Sequence, residues 1–268
     1  MFSSFSVPPA SRFGQAVHSL WQTERSLPFQ EELIVPKGVV EVIFNFSDGA
    51  PVEAHLGGRH YRIKGCFING FNTAPIRLRP PERQVFFGVL FKPLAVKHVF
   101  GIPAGEVSDL LLDLSLLDPD FDTLWHQLAG QKDFDGRVAL FLCWIERKLP
   151  GYEPREQLMN ELLIGSGQYD QTATGLAGIL CYSPRHLSRR ITEATGLNAE
   201  ELLLYKKYLR AIDLMHHTGL NLTEIAYEAG FSDQPHFIKA FKSLTGLTPG
   251  AYRRGKGPIP GHIFQDVR

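Results

Sequence analysis

Six side chains in two short stretches have the types and spacing to hydrogen-bond a polar surface from one side of a helix. Arg185, Ser188 and Arg189 lie in SPRHLSRRITEATGL, and Gln234, His236 and Lys239 in FSDQPHFIKAFKSLTGL. In the first stretch Leu187, Ile191 and Ala194 recur at i, i+4 and i+7, an apolar stripe that leaves Arg185, Ser188, Arg189 and Thr192 on other faces. In the second, Phe237, Phe241 and Leu244 with Ala240 form the stripe. Gln234, His236, Ile238 and Lys239 are left outside it or at its margin. Arg and Lys can bond guanine edges, Gln can pair with adenine, and an exposed Ile238 suits a thymine methyl.

The elements that would hold these side chains are marked in the sequence. Leu176-Ala177 and Tyr182-Ser183 recur 49 residues later as Ile225-Ala226 and Phe231-Ser232. His186-Leu187, Arg189 and Thr195-Gly196-Leu197 recur at an offset of 50 as His236-Phe237, Lys239 and Thr245-Gly246-Leu247. The spacing predicts a helical corner used twice, with one residue inserted early in the second helix of the second copy. Tyr182 and Phe231 are expected to pack the turns. Ser183 before Pro184 signals a helix start. Asn198 with Glu201, and Asn221 with Glu224, have the spacing of capping boxes. Thr218-Gly219 ends the helix from Asn198, and Thr248-Pro249 opens a last short one. Between the copies, a helix from Asn198 to His217 spans roughly 30 Å. Major grooves on one face of a duplex recur about every 34 Å. One chain can thus offer two reading helices to successive grooves.

Ahead of this region, up to about Phe91, the chain reads as β. ELIVPKGVVEVIFNF gives two apolar stretches around Pro-Lys-Gly, followed by RHYRIKGCFI, APIRLRP and RQVFFGVLF, a spacing expected of a barrel or sandwich. From Pro93 the pattern turns helical: PLAVKHVF, GEVSDLLLDLSLL, FDTLWHQLAG and DGRVALFLCWIERKL, the last stopped at Pro150-Gly151. The fold class expected is therefore α+β in two domains. We place a β-rich domain at residues 1–150, an all-helical one at 151–256 that opens with a helix from Pro154 to Ile164, and a tail at 257–268.

Other chemistry finds little support. His55 and His60 flank LGGR, but no H-x-H pair with a nearby carboxylate exists, so they read as loop histidines rather than metal ligands. Glu41, alternating with apolar residues in VVEVIFNF, could face a barrel interior and meet a cation, though a paired buried or outward acid is the stronger reading. No G-x-S-x-G elbow, P-loop or dinucleotide motif is present; the GSG at 165–167 reads as a linker, and Ser47-Asp48-Gly49 as a turn. No cofactor and no metal are called for, and no enzymatic activity is expected. The 3 cysteines, Cys66, Cys143 and Cys181, lack C-x-x-C spacing, and the N-terminus lacks the blocks of a secretion signal. With no long apolar run either, a cytoplasmic protein without a membrane partner is expected. The net charge is zero, but residues 172–256 hold 11 Lys and Arg against seven Asp and Glu. Lys206, Lys207 and Arg210 could equally be solvated charges or phosphate contacts, and Arg253 and Arg254 could contact phosphate, though a soluble tail is the stronger reading.

The C-terminal hundred residues resemble the DNA-binding region of the AraC/XylS family of bacterial transcription regulators. The matches are SPRHLSRRITEATGL and, more specifically, IAYEAGFSDQPHFIKAFKSLTGLTPGAYRR. The resemblance implies seven helices, two helix-turn-helix units joined by a long helix, and binding to double-stranded DNA at promoters. It also implies base-reading positions at Arg185, Ser188 and Arg189 and at Gln234, His236 and Lys239. A homodimer, a small-molecule effector and RNA polymerase are the further partners it suggests. Two positions depart from the family pattern. Cys181 stands where the first turn usually has Gly, and Arg190 stands at a usually apolar position. The N-terminal half resembles an uncharacterised β-rich domain found ahead of such regulators, through VPKGVVEVIFNF, APIRLRP and FFGVLFKP. That implies a cupin-like barrel followed by helices, with a sensing or dimerising role. The competing readings are a ligand-binding or enzymatic β-barrel tethered by the helical half, and a DNA-repair methyltransferase. The latter needs an activated cysteine and a four-cysteine zinc site that three scattered cysteines do not supply.

Overall fold

The computed structural model describes residues 1–26, 31–48, 50–149, 151, 154–164 and 172–265. Pro150, Gly49 and the GSG segment, read above as a helix stop, part of a turn and a linker, lie outside the described residues.

The N-terminal half is built on two antiparallel sheets that face each other without closing into a barrel. One has six strands in the order β1 (Phe2–Ser6), β2 (Val17–Ser26), β9 (Arg83–Phe91), β4 (Val40–Asn45), β7 (Cys66–Asn69) and β10 (Leu111–Asp113). The other has five: β11 (His262–Gln265), β3 (Glu31–Ile34), β8 (Ile76–Arg79), β5 (Val52–Leu56) and β6 (Arg59–Ile63). Of the barrel and sandwich alternatives, the open two-sheet arrangement is the one observed. The Pro36-Lys37-Gly38 turn carries the chain from the five-stranded sheet into the six-stranded one. RHYRIKGCFI likewise divides at Lys64-Gly65 into β6 and β7 in different sheets.

Side chains alternate between the two faces of each strand, and both faces of the six-stranded sheet are used. Leu20, Val42, Phe44, Ile68 and Phe87 point to a layer of helices and are fully buried there. That layer comprises α1 (Pro93–Phe100), α2 (Asp120–Ala129) and α3 (Phe134–Glu146). The Phe141 ring of α3 sits 6.2, 6.2 and 6.3 Å from those of Phe44, Phe87 and Phe91, an edge-on cluster typical of aromatic cores. Trp21, Glu41, Ile43, Phe67 and Phe86, one residue out of phase, face the opposite sheet.

The segment GEVSDLLLDLSLL is not a helix. It forms a short turn at Ala104–Val107, the edge strand β10 and a second turn at Leu114–Leu116. Two tertiary contacts override its local helical pattern. Leu111–Asp113 pair antiparallel with Phe67–Asn69, and the Asp109 carboxylate accepts from the Thr73 and Ala74 amides and the Thr73 hydroxyl.

The C-terminal half contains seven helices among the described residues: α4 (Pro154–Ile164), α5 (Ala173–Ile179), α6 (Pro184–Thr195), α7 (Ala199–His217), α8 (Leu222–Glu228), α9 (Gln234–Thr245) and α10 (Pro249–Gly255). The two halves share one apolar core, continuous from Leu20 and Phe44 to Tyr208, Phe237 and Tyr252. The chain then returns to the first half. Beyond α10, β11 adds to the edge of the five-stranded sheet, with His262 opposite Ile34 and Phe264 opposite Glu32.

Candidate nucleic-acid interface and inter-sheet cavity

The two helical corners share their main turn and helix-end hydrogen bonds. In the first, α5 turns into α6 with the Tyr182 amide donating to the Ala177 carbonyl at 2.9 Å; in the second, Phe231 donates to Ala226 at 2.9 Å. The turn needs one left-handed residue. Gly230 takes it at φ 82°, whereas Cys181 takes it at φ 52°, a conformation a Cβ disfavours. The second helices open on side-chain caps, Ser183 to the His186 amide and Asp233 to the His236 amide. They close alike, Thr195 to the Ile191 carbonyl and Thr245 to the Phe241 carbonyl, both at 2.8 Å. Both second helices have 12 residues and start 50 apart. The inserted residue therefore lies in the turn before α9, not early within it as expected, because Asp233 rather than Ser232 takes the capping position.

The apolar stripes are buried as expected: Leu187, Ile191 and Ala194 in α6, and Phe237, Ala240 and Phe241 in α9, with Leu244 half-buried. On the other side of α6, Arg185 and Arg189 are exposed and Ser188 is half-buried, all three bordering one groove. Arg189 leans toward Glu193 at 3.9 Å. On α9, His236, Lys239 and Ile238 are exposed. Gln234 is half-buried and accepts from the Thr223 hydroxyl at 3.3 Å. His236 stands 3.1 Å from the Ser232 hydroxyl with its ring edge-on to Phe231. Lys242, not singled out in the sequence, lies on the same open flank as Lys239 and Ile238. Its i, i+3 spacing from Lys239 was the available signal.

Between the corners, α7 opens on the Asn198–Glu201 capping box, and α8 repeats the motif with Asn221 and Glu224. α7 is also bolted to the N-terminal half. Tyr205 Oη accepts from the Gly38 amide and donates to the Asn72 carbonyl, both at 2.9 Å, and Tyr208 Oη donates to the Pro36 carbonyl at 3.0 Å. The end of α6 docks there too, with Ser108 Oγ lying between the Phe71 carbonyl at 2.6 Å and the Thr195 carbonyl at 3.1 Å. Arg190 pairs across helices with Glu156 of α4 at 3.0 Å, which accounts for a charge beside a buried stripe.

Lys206 corrects the surface-or-phosphate alternatives drawn from the sequence. It is buried, its ammonium donates to the Leu162 carbonyl in the last turn of α4, and desolvation pulls its pKa down to about 8. Glu41 lies buried as well, its carboxylate 3.0 Å from Lys37 Nζ and 3.3 Å from Trp21 Nε1. His55 and His60 face each other across β5 and β6 with ring centroids 4.7 Å apart. No group of three metal-ligating side chains occurs among the described residues.

Between the two sheets lies a cavity of about 320 Å³, at the small end of ligand-binding pockets. Its walls are mainly apolar, with Trp21, Ile43, Phe67 and Phe86 from one sheet and Ile76 and Leu78 from the other. The Trp21 indole lies flat along β9, where Gly88 leaves it room; a Cβ there would stand 2.1 Å from the ring. Two ion pairs reach one region of the wall, Lys37–Glu41 and Arg25–Glu32 at 3.6 Å. His262, delivered by β11, stands 2.5 Å from Glu32, and burial lowers its pKa.

Residues 176–255 match a family model described as a helix-turn-helix domain. Those residues form a helix-turn-helix domain of the AraC type. Residues 6–113 match a domain of unknown function, DUF6597. The regulator GlxA of Rhizobium meliloti is 40% identical over 89 residues, 33% of this chain and 26% of its own length. The activator RhaS of an Enterobacter strain is 32% identical over 134 residues, 49% of this chain and 48% of its own. The chain thus spans about a quarter to a half of these relatives. Apo ToxT from Vibrio cholerae shares the fold across both halves, with a TM-score of 0.50 over 88% of this chain and 97% of that one, at 16% identity. The seven helices and two joined corners implied by the AraC/XylS resemblance are those observed. Among the described residues, no helix is long and apolar enough to cross a membrane.

Proposed function

We propose that the protein is a sequence-specific transcription regulator that lays α6 and α9 in successive major grooves of one duplex. The duplicated corners, with the same turn and helix-end hydrogen bonds, are the observation that carries this reading. α7 supports it, since 19 helical residues extend roughly 28 Å at 1.5 Å each, close to one turn of B-DNA. Arg185, Ser188 and Arg189 in the first unit, and Gln234, His236 and Lys239 in the second, are the base-reading side chains. Lys242 adds phosphate attraction that weakens with salt. The N-terminal half senses a signal through its cavity or joins two copies of the chain, and the protein regulates from the cytoplasm rather than catalysing a reaction. The cavity wall favours sensing: it is mainly apolar, and it borders the turn that α7 grips.

Replacing Arg189 with Ala, and separately Gln234 with Ala, tests the assignment on a selected DNA site. Each should lose about 1–3 kcal/mol of specific binding and relax sequence preference at its own position. Unchanged affinity in both variants refutes the placement of the reading helices.

A further inference from the structure

Resting on the sensing role just proposed, we infer that the cavity takes a compact molecule of no net charge, apolar over most of its surface, with a hydrogen-bond acceptor at one end. The walls set the apolar requirement. The charge rule comes from the groups that interrupt them. Glu41 is engaged by Lys37 and Trp21, and Glu32 by Arg25 and His262. The two acids and two bases cancel, and burial disfavours the charged form of His262. A ligand carboxylate would have to take Lys37 or Arg25 from its partner and strand a buried Glu. An ammonium would have to take Glu41 or Glu32 and strand a cation. The carboxylate would leave a buried Glu without its partner, and the ammonium would leave a cation that is only about a quarter exposed without its counter-charge, so both ions are disfavoured.

The acceptor end follows from the wall amides. Gln84 Oε1 already accepts from Arg25 at 2.9 Å, and Asn69 Oδ1 from Asn72 at 2.6 Å. Their N–H groups remain to donate to a hydroxyl, carbonyl or ether oxygen. The same wall is completed by Ile259 and His262, which follow the last helix of the DNA-binding half. A molecule seated there touches the segment that leads out of the last helix.

Titration calorimetry of the full chain with three probes of one shape tests this: biphenylmethanol, biphenylcarboxylate and biphenylmethylammonium. The alcohol should bind at least about tenfold tighter than either ion. Glu41→Gln, which leaves Lys37 without its partner, should swing the preference toward the carboxylate. Lys37→Met should swing it toward the ammonium. A wild-type preference for either ion, or a preference unmoved in both folded variants, overturns the inference while leaving a sensing cavity in place. Binding of none of the probes to any of the three proteins overturns the sensing role as well.

Discussion

Tyr205 and Gly38 meet across the two halves of the molecule: the Gly38 amide donates to the Tyr205 hydroxyl at 2.9 Å, in a fully buried contact. Gly38 follows Lys37, whose ammonium pairs with Glu41 at the cavity. Tyr205 lies on α7, which holds the two DNA-binding corners apart. One turn thus borders both the cavity and the strut.

The hydroxyl is what holds that contact. Tyr205→Phe keeps the ring but leaves the buried Gly38 amide and Asn72 carbonyl without their partner. A loss of about 1–3 kcal/mol is expected, read by denaturant unfolding. An unchanged midpoint would show that the two halves do not depend on this bond.

The first corner carries backbone strain that the second avoids. Cys181→Gly should stabilise the protein by about 1 kcal/mol, because φ 52° suits Gly and not Cys. The matching change Gly230→Ala should destabilise it. Thermal unfolding of both variants checks the pair, and equal shifts of one sign would contradict the account.

Lys206 gives a pH signature. Its pKa falls from an ordinary 10.5 to about 8 in the folded protein. Below 8 both states hold the proton, and folding bears the full cost of burying the charge. Between about 8 and 10.5 the unfolded chain binds the proton more tightly, so this group makes stability rise with pH. Lys206→Met should therefore raise the melting temperature at neutral pH, and its advantage should shrink across that window. An advantage independent of pH would mean that the buried ammonium is not the cause.

Strand β11 is a structural part of the N-terminal half. Ile263 is buried in the common core, so Ile263→Ala should cost about 2–4 kcal/mol, measured by chemical denaturation. A change near zero would mark the strand as a loosely held tail.

What the sequence made legible was local. Ser183-Pro184, Asn198 with Glu201 and Asn221 with Glu224 announce their helices because each cap is satisfied within three or four residues. The apolar stripes of α6 and α9 follow from helical period alone. What escaped depends on partners distant in the chain. Leu111–Asp113 form a strand because β7 offers an open edge, although their apolar run suits a helix equally. Lys206 is buried by α4, not by its neighbours in α7. The pairing of β11 with β3 joins residues some 230 positions apart, with no turn between them to signal it. The reading faces of α6 and α9 were legible as faces, yet their contacts with bases need the duplex itself.

The central claim is tested most directly by selecting bound sequences from random duplex DNA with the full-length protein. The account predicts two conserved blocks with centres about 10–10.5 base pairs apart, one lost on disabling α6 and the other on disabling α9. A single block, or two at a spacing that puts them on opposite faces of the duplex, would contradict it.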